Sequence, residues 1–189
     1  VTEAYNGSNW TEVNDLNSAR AGLAGCGTQT AALAFGGTGP TANTELWNGT
    51  NWTEVNNLNT GRNVVSGAGI STSALAFGGN PVTAVTELWN GTNWTEVNDL
   101  NTARQSLAGA GADNTSALAF GGITPSAVTA VTETWNGTNW TEVNDLNTAR
   151  ENISGAGTQT SALGFGGYVS SPTPVTGATE SWNGTNWTE

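Results

Sequence analysis

Residues 135–150 read WNGTNWTEVNDLNTAR, and this phrase decides the fold because it recurs along the whole sequence. Near-verbatim copies run from 47 to 62 and from 89 to 104, a variant begins at residue 5, and a last, shorter copy runs from 182 to 189. The second tryptophan of each copy stands at residue 10, 52, 94, 140 or 187, so the period is 42 to 47 residues. A fixed period of this length predicts tandem structural units of one kind.

Each repeat divides into four short predicted strands separated by turn residues. Strand one, 105–111 in one copy, is rich in Gly and Ala and therefore suits a crowded centre. Strand two, 116–120, ends at a pair of glycines, and strands three and four, 86–89 and 94–97, meet across an Asn-Gly step that is typical of a tight hairpin. No segment has a helical period, so the sequence predicts tandem four-stranded antiparallel sheets, arranged as the blades of a β-propeller.

The pattern resembles the kelch repeat, in which a Gly doublet ends strand two, an aromatic residue lies on strand three, a Trp lies on strand four, and an Arg often precedes the next strand one. Gly78-Gly79, Trp89, Trp94 and Arg104 match these positions, and the match recurs along the whole chain. Strand three carries Trp where the family usually has Tyr, and the hairpin between the aromatics is tighter. The resemblance implies an all-β, kelch-like propeller, and it implies function only weakly because such propellers serve as enzymes and as binding modules.

The strand order divides the single repeat domain, residues 1–189, into complete blades at 20–57, 62–99, 104–145 and 150–189, with 1–13 as an orphan half-blade hairpin. A propeller ring normally closes when strands from the two termini complete one blade together. Here both ends supply the same half of a blade, so the chain cannot close a ring in this way. Three expectations stay open: a longer parent chain, which the lack of Met favours, several copies that complete one ring, or strand addition to a neighbouring copy, which would propagate a filament.

The composition excludes several kinds of chemistry. The 189 residues contain no His, Lys or Met, one Cys, and four Arg against fifteen acidic residues, for a net charge of −11. Without His and Lys there is no Ser-His-Asp triad, Schiff base or Walker lysine. The negative charge opposes nucleic-acid binding, and no apolar run approaches the roughly 18–20 residues of a membrane helix. We therefore expect no enzyme activity, no cofactor, no nucleic-acid partner and no membrane insertion.

Each complete repeat carries one arginine and a glutamate at the same position on each of strands three and four. Because Trp47 and Trp52 flank a four-residue loop, we expect them to be cross-strand neighbours, and strand alternation then puts Glu45 opposite Glu54 on the same face. Like charges in this arrangement destabilise a sheet, so each Arg is predicted to bridge a Glu pair of its own or a neighbouring blade. The residues of these structural ion pairs are Arg20, Arg62, Arg104, Arg150, Glu45, Glu54, Glu87, Glu96, Glu133 and Glu142.

Paired carboxylates also have catalytic and metal-binding uses. Two carboxyl groups about 5 Å apart serve retaining glycosidases, but an active site is normally singular and this pair recurs in every repeat. Calcium held by the Glu pairs or by Asp15, Asp99 and Asp145 is the alternative for a metal, although no stretch matches an EF-hand loop. We expect no metal site.

All five prolines lie between the Gly pair and the next Thr-Glu, which predicts a loop there in every copy because Pro is excluded from central strands. The length of this loop varies from six to eleven residues, whereas the rest of the repeat is nearly constant. Loops on a rigid scaffold often bind ligands, and harmless drift explains the variation equally well. The candidate binding-loop residues are Pro40, Pro81, Pro125, Tyr168, Pro172 and Pro174.

The hairpin tryptophans and asparagines each have two interpretations. Exposed Trp rings that stack on sugars would make a multivalent lectin, but regular placement on strands favours packing between blades. Asn-x-Ser/Thr sequons are dense, and turn chemistry alone accounts for many of them. The better candidates for N-glycosylation are the Asn-Trp-Thr sites Asn9, Asn51, Asn93, Asn139 and Asn186.

These observations lead us to expect a non-catalytic structural or adhesion protein that is extracellular, on the cell surface or virion-associated. Recognition is expected to occur through the loops between strands two and three, and assembly into rings or filaments is expected to involve copies of the chain or a longer parent chain. The alternative is a multivalent carbohydrate-binding propeller, for which glycans are the partners.

Overall fold

A computed structural model of the protein describes residues 1–169 and 175–189, and every regular element within them is a β-strand. No helix suited to spanning a bilayer is present among these residues. An N-terminal hairpin consists of β1 (Thr2–Tyr5) and β2 (Trp10–Val13). Blades 1 and 2 consist of β3 (Ala24–Thr28), β4 (Ala31–Phe35), β5 (Thr44–Trp47), β6 (Trp52–Val55), β7 (Ser66–Ile70), β8 (Ser73–Phe77), β9 (Thr86–Trp89) and β10 (Trp94–Val97). Blades 3 and 4 consist of β11 (Ala108–Asp113), β12 (Ser116–Phe120), β13 (Thr132–Trp135), β14 (Trp140–Val143), β15 (Ser154–Thr158), β16 (Ser161–Phe165), β17 (Thr179–Trp182) and β18 (Trp187–Thr188).

The predicted four-stranded antiparallel blades are confirmed, because the strands of each blade pair in chain order. The innermost strands β3, β7, β11 and β15 surround a common axis lined by Gly and Ala. Contacts join β3 to β7, β7 to β11 and β11 to β15, whereas no comparably extensive contact joins β3 to β15. The fold is therefore a four-bladed β-propeller arrangement whose first and last blades are less tightly joined than the others.

The hydrophobic core lies between blades. Phe35 at the end of β4 packs edge-on against Trp94 of the next blade, with ring centroids 5.0 Å apart. The Nε1 atom of Trp94 donates a hydrogen bond to Thr44 Oγ1 of the preceding blade at 3.0 Å. The same ring pair recurs as Phe77 with Trp140 and as Phe120 with Trp187. Blades 1, 2 and 3 thus each bury an apolar face against the blade that follows.

Glycine on the inner strands makes room for this packing. A Cβ atom at Gly67 would lie 2.5 Å from the tip of the Phe35 ring, and one at Gly109 would lie 2.6 Å from Phe77. Any larger residue would push the phenyl ring out of its place against the next blade. The Gly-rich composition of strand one is therefore a packing requirement as well as a consequence of the narrow axis.

Strand one begins later than the sequence predicts. In blade 3 the prediction started the strand at residue 105, but β11 begins at Ala108, and Gln105 forms only an isolated bridge with Ile123. Ser106 has a φ of 56°, in the left-handed region, so it interrupts the extended conformation. The prediction failed here because Ser carries no sequence signal for this conformation.

The left-handed residue occupies the same position in every blade and links the blades. Gly22, Val64, Ser106 and Asn152 have φ values of 63°, 44°, 56° and 48°. The N–H of Val64 donates to the Gly22 carbonyl at 2.7 Å, that of Ser106 to Val64 at 3.2 Å, and that of Asn152 to Ser106 at 2.9 Å. This chain of hydrogen bonds requires the left-handed backbone, even though Val64 is β-branched.

Apolar side chains of the N-terminal hairpin and of blade 4 are more exposed than the equivalent side chains of the other blades. Leu163 and Phe165 of blade 4 are 45% and 41% exposed, whereas Leu118 and Phe120 of blade 3 are fully buried. Trp10 of the N-terminal hairpin is 65% exposed. Leu163 and Phe165 have no following blade against them, and Trp10 has no preceding blade whose phenylalanine would cover it.

Val64→Asn is expected to stabilise the protein by about 1 kcal/mol, because Asn tolerates the left-handed region better than a β-branched residue. Urea unfolding measures the change in the free energy of unfolding. The reciprocal substitution Asn152→Val, at the equivalent position of blade 4, is the matched control and should cost a similar amount. Equal stability of Val64→Asn and the parent chain would mean that this conformation stores no strain.

Candidate functional site

A buried arginine lies at the centre of each blade, and blade 2 shows its geometry. Arg62 stands before the innermost strand, and its Nη2 donates to Glu87 Oε1 at 2.9 Å. Its Nη1 donates to the carbonyl oxygens of Gly78 at 2.8 Å and Val85 at 2.7 Å. Both charged side chains are fully buried. The guanidinium therefore joins the end of strand two, the following loop and strand three.

Arg104 and Arg150 make the same three contacts in blades 3 and 4, whereas Arg20 in blade 1 binds Glu45 and the carbonyl of Ala34. Charge-assisted hydrogen bonds of this kind are shorter and stronger than neutral ones. The other ion pairs are Arg20 with Glu45 at 2.5 Å, Arg104 with Glu133 at 2.9 Å and Arg150 with Glu180 at 2.7 Å.

The second oxygen of each buried carboxylate anchors the linker between blades. Glu87 Oε2 accepts hydrogen bonds from the backbone N–H and the side-chain amide of Asn59, at 2.6 Å and 2.8 Å. The Asn59 amide also donates to the carbonyl of Trp94 at 3.1 Å. Equivalent contacts are made by Asn17, Asn101 and Asn147. Sequence reasoning missed this role, although the fixed position of these asparagines in the linker was a visible signal.

The electrostatics of the buried groups fit a structural role. Burial lowers the pKa values of Arg62 and Arg104, and their Glu partners offset part of this effect. Arginine nevertheless stays protonated in proteins. Burial by itself would raise the pKa of Glu45. The hydrogen bonds from Asn17 and Arg20 and the positive charge of Arg20 have a larger, opposite effect, so the pKa of Glu45 lies below its ordinary value. The side chains of the pairs in blades 2, 3 and 4 are at most 2% exposed, so these three sites are closed to solutes.

The second glutamate of each predicted pair lies opposite the first but does not bind the arginine, so the predicted bridge to both glutamates is wrong. The register places Glu45 opposite Glu54, Glu87 opposite Glu96 and Glu133 opposite Glu142. Glu54, Glu96 and Glu142 are exposed, and none of them belongs to the Arg–Glu salt bridges found in the described residues. Strand four is the outer edge of the blade, so its carboxylate reaches water and needs no cation.

The aspartates weighed as calcium ligands bind the backbone instead. Asp99 Oδ1 accepts the N–H of Thr86 at 3.0 Å, and Asp145 Oδ1 accepts that of Thr132 at 3.0 Å. Asp15 does the same for Thr2 at 2.7 Å. Within residues 1–169 and 175–189, no group of three or more His, Cys, Asp or Glu side chains is placed to hold a metal ion.

The loops between strands two and three lie beside the linkers between strand four and the next strand one. The backbone N–H of Arg62 donates to Thr41 at 3.1 Å, and that of Arg104 donates to Thr83 at 3.1 Å. The candidate residues Pro40, Pro81 and Pro125 are exposed, Tyr168 is half-buried, and Pro172 and Pro174 lie outside the described residues. One face of the propeller thus carries loops of different length on an anchored base.

The tryptophans mostly pack inside the protein. Seven of the nine are buried, at 0–6% exposure, and Trp52 is half-buried. Trp47 and Trp52 are cross-strand neighbours with ring centroids 5.4 Å apart. Only Trp10 presents most of its surface to solvent. The regular indoles are therefore part of the contacts between blades.

The five asparagines of the Asn-Trp-Thr sequons are exposed, and four of them also link blades. Asn93 Oδ1 accepts a hydrogen bond from the Asn56 amide at 2.7 Å, and Asn139 Oδ1 accepts one from Asn98 at 2.9 Å. The same contact joins Asn51 to Asn14 and Asn186 to Asn144. Each of these contacts uses the oxygen of the sequon asparagine and leaves its amide nitrogen, where a glycan would attach, uninvolved.

Cys26 lies on the innermost strand β3 and is half-buried. Burial raises the pKa of its thiol to about 12, so the thiol stays protonated at neutral pH and is a poor nucleophile. The residue acts as a small packing group.

No protein-family model matches this chain, and no curated protein matches its sequence. The propeller architecture thus rests on the strands and contacts described above.

Arg104→Ala is expected to lower the free energy of unfolding by roughly 3–5 kcal/mol, because it leaves the Glu133 carboxylate buried without its cation. Thermal unfolding should show the loss as a fall in melting temperature of roughly 6–20 °C. Glu142→Gln, which removes an exposed charge on the adjacent strand, should change stability by no more than about 0.5 kcal/mol. Similar effects of the two substitutions would contradict the structural role of the ion pair.

The Arg20–Glu45 pair should make stability depend on pH. Because the folded pKa of Glu45 is depressed, its contribution is fully present above its unfolded pKa of about 4.3 and is lost as pH falls through the folded value. Unfolding free energies of the parent chain and Glu45→Gln should therefore differ at pH 7 and converge in acid. Glu54→Gln, which removes an exposed carboxylate of the adjacent strand, should change the free energy of unfolding at pH 7 by no more than about 0.5 kcal/mol. A difference for Glu45→Gln that stays constant from pH 7 to pH 2 would refute this assignment.

Proposed function

We propose that this protein is a non-catalytic, kelch-like propeller scaffold that recognises its partners through the loops between strands two and three. It would act as a structural or adhesion module that is extracellular, on the cell surface or virion-associated. The observation that carries the proposal is the contrast between a uniform, internally bonded blade and loops that differ from blade to blade on one face.

The blade interior supports a scaffold rather than an enzyme. The repeated charged groups form closed ion pairs, with Arg62 and Glu87 fully buried. The repeated aromatic residues fill the space between blades, as Phe77 and Trp140 do. Residues that already bind one another in every blade are unavailable for chemistry on a solute.

The loop face supports recognition. Exposed Pro40, Pro81 and Pro125 each lie in a different sequence context, and the loop bases are fixed by backbone hydrogen bonds to the linkers. Loops that are held rigidly at their bases lose less conformational entropy when they bind a partner. The kelch resemblance supports this use, because members of that family bind partners as well as catalyse reactions.

Composition supports an exposed location. The chain lacks Lys, carries few Arg, and is rich in Thr and Asn. Trypsin-like proteases cleave after Lys and Arg, and three of the four arginines are fully buried. A chain of this kind suits an extracellular or virion surface.

Carbohydrate binding is the second candidate, and one observation favours it. Tyr5 and Trp10 are 45% and 65% exposed, and their ring centroids lie 5.2 Å apart. This pair offers a single stacking surface for a sugar, rather than the repeated sites of a multivalent lectin. The burial of the equivalent indoles is the reason that we place the scaffold first.

Exchange of one loop tests the proposed recognition surface. Residues 123–131 are replaced with the shorter loop 80–85, and the fluorescent full chain is applied to intact bacterial and eukaryotic cells and to an array of immobilised glycans. We expect the parent chain to bind a cell surface, and the exchange to reduce that binding by about tenfold without lowering the melting temperature by more than about 2 °C.

Trp10→Ala is the matched control for the second candidate. It should leave cell binding unchanged if the loops recognise the partner. Glycan-array binding that disappears in Trp10→Ala would instead establish the carbohydrate-binding function, and undiminished cell binding after loop exchange would exclude the loops.

A further inference from the structure

A groove of about 660 Å³ separates the N-terminal hairpin from blade 1. Thr2 and Glu3 of β1 line one side, Gly25 and Leu33 of the inner strands of blade 1 line the other, and Trp52 borders the same space. In the complete blades, strands one and two fill the corresponding place between strand three and the axis.

The N-terminal hairpin is held against blade 1 as the outer half of a preceding blade. Its Asn14 amide donates to Thr50 O at 2.9 Å and to Asn51 Oδ1 at 2.8 Å. Asn17 after the hairpin donates to Glu45 Oε2, as the equivalent linker residues do in later blades. The hairpin therefore has the outer contacts of a blade without the two inner strands.

Strand β1 has one open edge. In each complete blade strand three pairs on both sides, as β9 does with β8 and β10. Within the described residues β1 pairs with β2 alone. The Tyr5 carbonyl accepts a hydrogen bond from the Gln29 amide, as the Trp135 carbonyl does from Gln159 in a complete blade. The edge of β1 has no strand partner and can accept one further antiparallel strand.

The groove also contains the two halves of a phenylalanine pocket. Where blades meet, a phenyl ring lies against a glycine and a tryptophan of the next blade, as Phe35 does at Gly67 and Trp94. Gly25 and Trp52 occupy these two positions in blade 1. No phenyl ring of the described residues packs on Trp52, and its buried Nε1 has no hydrogen-bond partner there.

A third group in the groove is a carboxylate without its arginine. Glu45, Glu87, Glu133 and Glu180 on strand three each pair with the Arg that precedes strand one of the same blade. Glu3 occupies this position on β1, and no salt bridge to it is found within residues 1–169 and 175–189. An open strand edge, a phenylalanine pocket and a carboxylate thus all face one space.

We propose that this groove is a docking site for an added β-hairpin with the first-half sequence of this repeat, which completes a fifth blade together with β1 and β2. The hairpin brings an Arg for Glu3, a Phe for the pocket of Gly25 and Trp52, and a strand that pairs with β1. By the register of blade 2, its Ala-Leu-Ala-Phe lies opposite Tyr5 to Thr2.

A second copy of the chain does not meet this need. Each first-half hairpin of a copy already pairs with its own strand three, as β12 pairs with β13. Donation would open a complete blade to fill another, with no gain in paired strands. The occupant is therefore a separate hairpin that has the repeat's chemistry.

A synthetic peptide with the sequence of residues 104–122, RQSLAGAGADNTSALAFGG, tests the proposal on the full chain. We expect saturable binding by calorimetry, a raised melting temperature, and slower hydrogen exchange of the backbone amides of β1. Substitution of the peptide position equivalent to Phe120 by Ala should weaken binding about a hundredfold, because it leaves the pocket empty.

Paired chain variants test the carboxylate. Glu3→Gln should weaken binding of the peptide about tenfold, and it should have no effect on a peptide whose arginine is replaced by alanine. Glu12→Gln, on the adjacent strand, should bind as the parent chain does. The proposal would be overturned if the peptide does not bind or if a scrambled peptide binds equally well. It would also be overturned if the peptide slows hydrogen exchange only in β16 or β18. Self-association of the chain alone that protects β1 would overturn it as well.

Discussion

The structure depends on one contact that no blade can make by itself. A phenylalanine at the end of strand two packs between a glycine and a tryptophan of the following blade, as Phe77 does against Gly109 and Trp140. A four-stranded blade exposes two apolar faces, and burial of aromatic surface is the largest favourable term available to it. Blades are therefore stable only in series, and the ends of the series keep uncovered groups.

The buried ion pair orients the strands and the linker, whereas the hydrophobic contact supplies most of the stability. Buried charge pairs add little net stability, because desolvation offsets their attraction. Arg62 and Glu87 instead fix direction: one guanidinium binds two carbonyls and a carboxylate, and the carboxylate binds the incoming linker through Asn59. The geometry sets how strand two, strand three and the linker meet. This arrangement allows the loops above it to vary without disturbing the blade.

Much of the architecture follows from the local pattern of the sequence. The Asn-Gly hairpins, the Gly pairs and the prolines specify strands three and four, the end of strand two and the loops, because turn chemistry acts within a few residues. The opposition of Glu45 and Glu54 follows from strand alternation alone. The start of strand one did not follow, since the left-handed backbone at Ser106 is imposed by a hydrogen bond to the neighbouring blade.

The sequence by itself determined that this protein is a series of near-identical blades, each made of four antiparallel strands, because periodicity and turn residues are local properties. Only the tertiary structure decided which glutamate binds arginine, since burial separates Glu87 from Glu96 although both lie on one face. It also decided that the tryptophans are packing groups and that Trp52, Gly25 and Glu3 share a groove. Those outcomes depend on how one blade covers the next, which is a long-range constraint that no single repeat encodes.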